Sequence, residues 1–229
     1  MFIRPNSRGR SMGKGFLITA TDTGVGKTFI GCCLMQAFSD MGLSVFPFKP
    51  VETGCEPEPQ DALNLLKHAS INLKLNEVCP YTFKEPLAPM VAERIEEKKI
   101  DISKIEKLYR NALKRFDIVM VEGAGGLLVP ITGRFTYADL ANLLNLPLII
   151  VARSKLGTIN HTLLTVRLAQ AQGLKVMAVI LNQYEGKDTA EKTNPEVINE
   201  LSHIPVFRVP IMEEPAPLTE IAEFIHANL

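Results

Sequence analysis

Short apolar runs alternate along the chain with longer segments of helical period. Residues 16–20, 44–48, 117–121, 146–152, 175–181 and 206–209 are runs of strand length. Several are apolar throughout rather than alternating, the pattern of strands covered on both faces, and this predicts a parallel sheet. Between them, residues 28–41, 61–69, 102–115, 158–172, 195–202 and 218–227 carry the spacing of helices. Gly42 and Gly173 follow two of these segments, where a left-handed residue commonly ends a helix. The recurring order strand, helix, strand predicts an α/β fold, a doubly wound, mainly parallel sheet with helices on both faces. Ligands of such sheets bind beyond the carboxyl ends of the strands, so candidate chemistry is sought there.

Composition narrows the setting. With 229 residues, 46% of them hydrophobic, the chain can bury one substantial core. The expectation is a single domain over residues 15–229, preceded by a flexible, basic tail over residues 1–14. Lys plus Arg and Asp plus Glu both number 25, so no overall field favours a nucleic-acid partner. Cys32, Cys33, Cys55 and Cys79 have neither the spacing of a zinc site nor the density of a disulfide scaffold. A reducing cytoplasm fits them, and Cys32 and Cys33, inside a predicted helix, read as inert buried thiols. No apolar run is long enough to span a bilayer, so no membrane partner is expected.

The strongest local signal is Ala20-Thr21-Asp22-Thr23-Gly24-Val25-Gly26-Lys27-Thr28, between the first strand and the first helix. It reads as a phosphate loop. Backbone N–H groups from Thr23 to Thr28 and the helix start would cradle phosphates, Lys27 would reach the β and γ oxygens, and Thr28 would bind magnesium. Thr21 stands where the usual pattern has its first glycine, but the strand-before, helix-after context is the expected one. Phe48-Lys49-Pro50-Val51-Glu52-Thr53-Gly54 leaves the second strand toward the same edge, bringing a second lysine to the phosphates and Thr53 to a substrate. Taken alone, Lys49 reads more readily as a solvated surface lysine. Val119-Met120-Val121-Glu122-Gly123-Ala124-Gly125-Gly126 is a buried-strand run ending in an acid and a glycine cluster. Glu122 is placed there as a magnesium carboxylate would be.

Together these three motifs resemble the dethiobiotin synthetases, as do Pro80-Tyr81-Thr82-Phe83, Lys155-Leu156-Gly157-Thr158-Ile159-Asn160-His161 and Leu181-Asn182. The resemblance runs from about Gly15 to Pro210. It implies a P-loop NTPase-like fold and a cytoplasmic homodimer that converts 7,8-diaminononanoate, carbon dioxide and ATP to dethiobiotin, ADP and phosphate. In that family an amine captures carbon dioxide as a carbamate, the carbamate attacks the γ-phosphate, and the second amine closes the cyclic urea on the mixed anhydride. The resemblance further implies that Lys27 and Lys49 stabilise the phosphoryl group and carbamate, and that Thr28, Asp61 and Glu122 hold magnesium. Thr53 and Gly125 would touch the diamine-carbamate end. Gly157, Thr158, Ile159 and Asn160, opening a helix, would bind the substrate carboxylate, as unpaired N–H groups there favour an anion and the Thr158 and Asn160 side chains can add donors. Asn182 would bond the adenine edge, with Pro210 and its neighbours as the wall beside it.

Asp61 alone also reads as a helix-start acid stabilised by the dipole. Other readings exist for the nucleotide site as a whole. Switch ATPases of the partition or septum-positioning kind carry an extra lysine early in the phosphate loop, where this chain has Asp22. A GTP switch would carry Asn-Lys-x-Asp where this chain reads Asn182-Gln183-Tyr184-Glu185.

Overall fold

The computed structural model describes residues 12–69 and 71–229. In chain order the elements are β1 Lys14–Ala20, α1 Lys27–Asp40, β2 Val45–Phe48, β3 Val51–Glu52, α2 Gln60–Lys67, α3 Leu75–Val78, β4 Tyr81–Thr82, α4 Pro89–Ile95 and α5 Ile102–Leu113. There follow β5 Ile118–Gly126, β6 Pro130–Thr132, β7 Phe135–Thr136, α6 Tyr137–Leu144, β8 Leu148–Arg153, α7 Thr158–Ala171, β9 Val176–Tyr184, α8 Thr189–Ser202, β10 Val206–Pro210 and α9 Thr219–Asn228.

The apolar runs form the expected sheet. Its order is β10-β9-β8-β1-β5-β2, and each neighbouring pair is parallel. Apolar residues on both sides of each strand serve two separate cores, as period-two geometry requires. Phe16 and Ile18 of β1 and Ile149 and Val151 of β8 join one core, with Leu34 and Phe38 of α1 and Ile221 and Ile225 of α9. Leu17, Ile150 and Ala152 join the opposite core, with Tyr109 of α5, Leu140 of α6, Val166 of α7 and Ile198 of α8. After β1 the chain passes outward to β2, returns to β5 on one side of β1, and then continues to β8 on the other. The topological switch therefore lies at β1, and the carboxyl end of β1 opens into the phosphate loop.

Gly42 at φ 78 and Gly173 at φ 74 take the left-handed conformation just past α1 and α7, as expected. Residues 1–11 of the expected tail lie outside the described residues. Gly13 donates its N–H to the Leu113 carbonyl at 2.8 Å and Lys14 donates to Asp117 at 3.0 Å, so Lys14 is the first residue of β1 rather than the last of a tail.

Helix α8 begins six residues before Pro195, the start that proline suggested. Its first turns are fixed by contacts that are distant in sequence. Asp188 accepts from the Glu191 N–H at 2.8 Å, and the Glu191 carboxylate accepts from Ser154 Oγ at 2.8 Å. Helix α6 was not expected, yet its signal is local. Thr136 and Asp139 form a reciprocal capping box, each side chain accepting from the other's N–H. No helix among the described residues is long and apolar enough to cross a membrane.

Ile150, fully buried at the centre of the sheet, tests this two-core reading. Ile150→Ala is expected to cost about 2–5 kcal/mol, read as a lower urea midpoint with an unchanged slope.

Candidate active site

The phosphate loop is folded around two left-handed glycines. Gly24 has φ 69 and Gly26 φ 94, conformations that a side chain would strain. Gly26 is also closed from behind, since a Cβ there would stand 2.2 Å from Asn182 Nδ2. Asn182, at the carboxyl end of β9, donates Nδ2–H to the Val25 carbonyl at 2.9 Å. Val25 itself is buried in the core, while Asp22, Thr23 and Gly24 face outward. The loop is thus pinned at its middle and open at its rim.

Lys27 and Lys49 are both buried, at 8% and 2% exposure. Lys49 is therefore not the solvated surface lysine that its residue type alone allowed. Its Nζ donates to Glu122 Oε1 at 2.6 Å and to Asp61 Oδ2 at 2.8 Å, and Thr28 Oγ1 donates to the same Glu122 oxygen at 2.8 Å. Burial by itself would lower the pKa of the Lys49 ammonium. The Glu122 and Asp61 carboxylates outweigh that and hold it above the ordinary lysine value. Burial is also the largest influence on Asp61 and would raise its carboxyl. The neighbouring Lys49 charge and hydrogen bond, with the Thr28 hydroxyl and Lys27, hold it below the usual carboxylate range instead. Lys27 is lowered, first by burial and then by the positive charge of Lys49.

Three features position this cluster. First, β5 carries extra residues against β1. Ile18 pairs with Glu122 and Ala20 with Gly126, so the chain bulges at Gly123, Ala124 and Gly125 between those points. Gly125, at φ 66, takes up that bulge beside Thr23 of the loop. Second, the Lys49 backbone N–H is tied to the Val78 carbonyl at the end of α3, at 2.9 Å. Third, the buried Glu52 accepts from the Asp61 N–H at 2.8 Å and the Ala62 N–H at 2.9 Å, which fixes the start of α2 and so the Asp61 carboxylate. Burial raises the Glu52 carboxyl above its ordinary value. Nothing in the sequence singled out Glu52, because its role depends on where α2 begins.

Oxygen donors suited to magnesium meet here: one hydroxyl from Thr28 and two carboxylates, from Asp61 and Glu122. Among the described residues no cluster of three or more His, Cys, Asp or Glu side chains forms a metal centre. The observed trio is a partial shell, which suits an ion that keeps phosphate oxygens and water as its other ligands. Glu122 Oε2 is buried without a hydrogen-bond partner, which agrees with a further electrostatic partner at this carboxylate.

The other expected residues lie around this centre. Thr53 follows β3, half-buried, before the exposed Gly54. Gly157, at φ 93, precedes α7, with Gly157 and Asn160 exposed and Ile159 half-buried. Thr158 departs from the expected role of its hydroxyl. It is 5% exposed, its Oγ1 is 3.4 Å from Thr162 Oγ1, and its N–H already donates to Lys155. Any anion at this helix start is left with the later N–H groups and Asn160. Of the wall beside Asn182, Val209 is buried in the core while Pro210 and Ile211 are exposed, so the outward surface there is Pro210 and Ile211 alone. Cys32 and Cys33 are buried, and burial pushes the Cys32 thiol up to about 12, in keeping with an inert role.

A family model described as an AAA domain matches residues 14–215. The ATP-dependent dethiobiotin synthetase BioD of Anaeromyxobacter sp. (strain K) is 43% identical over 192 residues, covering 83% of this chain and 86% of that protein. The protein of the same name from Aquifex aeolicus (strain VF5) is 43% identical over 198 residues, covering 86% and 89%. Among solved structures, the MinC:MinD cell division protein complex of Aquifex aeolicus superposes with a TM-score of 0.63 at 15% identity, over 94% of this chain and 96% of that one. Chloroplast FtsY from Physcomitrella patens gives a TM-score of 0.52 at 16% identity, over 95% of this chain and 65% of that one. These two likenesses show the mainly parallel α/β fold alone. At such identity over most of both chains, this chain belongs to the ATP-dependent dethiobiotin synthetase family.

Proposed function

We propose that the protein makes dethiobiotin from 7,8-diaminononanoate, carbon dioxide and ATP, as a step of biotin synthesis. Family membership supports this reading, and one observation carries it at the level of residues. The ammonium of Lys49 is buried between Glu122 and Asp61, beside Thr28 and Lys27, at the mouth of the phosphate loop.

The chemistry asks for alignment and charge rather than for a side-chain base. An amine of the substrate adds to carbon dioxide and loses a proton, leaving a carbamate that is already a nucleophile. Its oxygen attacks the γ-phosphorus of ATP and ADP departs, giving a carbamic-phosphoric anhydride. The second amine then attacks the anhydride carbon, phosphate leaves, and the ring closes. Negative charge grows on the phosphoryl oxygens during transfer, and Lys27 and Lys49 are the two buried cations that face it. In a site removed from water such charges act strongly and need no rearrangement as the reaction proceeds. Thr28, Asp61 and Glu122 would hold magnesium, which when bound supplies charge neutralisation and orientation of the phosphates.

Gly24 to Thr28 bind the phosphates by backbone N–H groups, the Thr23 N–H being held by Asp22 Oδ1, with Asn182 and Pro210 on the adenine side. Thr53 and Gly125 face the diamine-carbamate end. The start of α7, from Gly157 to Asn160, takes the substrate carboxylate, with backbone donors replacing the buried Thr158 hydroxyl. The reading extends to a single domain acting as a homodimer in the cytoplasm. A switch ATPase is disfavoured, since Asp22 occupies the place of the early loop lysine.

The deciding experiment is mass-spectrometric detection of dethiobiotin from purified protein with ATP, magnesium, bicarbonate and 7,8-diaminononanoate, omitting each in turn. Product should form only in the complete mixture, and Lys27→Ala should lower kcat by about 10²-fold or more with the fold retained. ATP hydrolysis by folded protein with no dethiobiotin would refute the assignment. A separate stability measurement tests the ion network. Lys49→Met leaves the Glu122 charge buried without its cation and should cost about 3–5 kcal/mol in urea unfolding. Lys49→Met with Glu122→Gln should recover most of that stability while remaining inactive.

A further inference from the structure

Charge balance at the site leaves a deficit of positive charge on the outer side of the loop. Lys27 and Lys49 face Glu122 and Asp61, so the buried cluster is close to neutral by itself. A triphosphate carries more negative charge than one magnesium ion cancels. The remaining counter-charge has to come from the loop amides and from cations at the rim.

One side chain fits that need. Arg153 ends β8, the strand next to β1 on the side away from β5. Parallel register pairs Ala20 with Val151, and this carries Arg153 past the end of β1 to the level of the phosphate loop. On its other side Arg153 is in register with Asn182, the residue that pins Val25 from within. Its Nη2 lies 3.6 Å from the point where a Cβ on Gly24 would stand, so the guanidinium lies against the outward face of the loop. Arg153 is exposed and, among the described residues, makes no ion pair or hydrogen bond. Among the described residues Arg110, Arg115 and Arg208 pair with Glu106, Glu77 and Glu196, while the exposed Arg134 and Arg167, like Arg153, do not; what sets Arg153 apart is its place against the loop. Even Asp22, exposed on the same loop, spends a carboxylate oxygen on the Thr23 N–H instead.

We propose that Arg153 is a nucleotide-binding residue whose guanidinium closes over the outer side of the phosphate loop onto the phosphate oxygens of ATP. The planar fork suits two phosphate oxygens at once, and an unpaired guanidinium gives up no protein partner on binding. The inference rests on the ATP-dependent reading above and adds to it a residue from β8.

The test is isothermal titration calorimetry with magnesium and adenylyl imidodiphosphate, a non-hydrolysable ATP analogue, on the full chain as wild type, Arg153→Ala and Arg153→Lys. Arg153→Ala should weaken binding on the order of tenfold, with the loss shrinking as ionic strength rises. Arg153→Lys should recover part of it, because charge returns without the fork. In the synthetase assay the KM for ATP should rise in step while the KM for the diamine stays unchanged. Because Arg153 is exposed, the unfolding midpoint should not move, which separates lost contact from lost fold. Analogue affinity within about twofold of wild type in Arg153→Ala overturns the assignment, as does a changed KM for the diamine at constant analogue affinity. The calorimetry needs no diamine. Wild-type protein that binds the analogue but makes no dethiobiotin would refute the proposed activity alone, leaving the Arg153 result to stand on its own binding constants.

Discussion

The ammonium of Lys49, almost fully buried between two carboxylates, is the constraint around which the site is organised. Removing such a group from water costs several kcal/mol, and only close, hydrogen-bonded partners of opposite charge offset that. Hence Glu122 has to sit inside the protein within β5 and Asp61 has to open its helix at the right place. Replacing the trio by apolar residues of similar volume would do the fold no harm on these grounds. On the proposed reading its retention belongs to function: charges fixed beforehand, in a region of low dielectric, where a phosphoryl group would be transferred.

That requirement passes outward through the structure. Glu122 pairs in register with Ile18, and directly after it β5 bulges against β1, the bulge being taken up by Gly125 at φ 66. Asp61 is held because Glu52 captures the first amides of α2. On the far side of β1, Asn182 fixes Val25, and the cluster of Ser154, Glu191 and Asn194 ties the end of β8 to α8. Each tie is a buried polar pair at the end of a strand. The sheet supplies the platform, and these few hydrogen bonds set the loops upon it.

What could be read in the sequence follows from the range of the forces involved. The strands, and the helices beside them, are written in local apolar patterns, so each of the six apolar runs is a central strand, the widest shift being at β5, which runs on to Gly126. The phosphate loop was legible because glycine, lysine and threonine at that spacing act through the backbone of one short segment. Lys49 was ambiguous from residue type alone, since its burial depends on β5 and α2, about 70 and 12 residues away. Helix α8 was begun too late because Pro195 imitates a helix start, while the true start is held by Asp188 and by Glu191 bonded to Ser154. Thr158 was assigned an outward hydroxyl, and the turn of α7 points it at Thr162 instead. Helix α6 is a different case: its capping box, Thr136 with Asp139, is a local signal written in the sequence itself.

The site divides into a buried half and an open half, and electrostatics gives the two halves different work. Around Lys27, Lys49 and Glu122 there is little solvent to reorient, so a charge placed there keeps its strength through the reaction. At the rim, Thr23, Gly24, Gly157 and Asn160 face water, where charges are screened within about 8–10 Å at ordinary salt. In the proposed reaction, contacts at the rim would therefore serve mainly to capture and orient ligands, leaving stabilisation of the transferring group to the buried half. Asp61 bridges the two, its side chain 43% exposed while its carboxylate is tied to the buried Lys49. A carboxylate so placed can meet an incoming cation from solvent without any buried residue having to open, which is why α2, held by Glu52, is positioned at the boundary between the two halves.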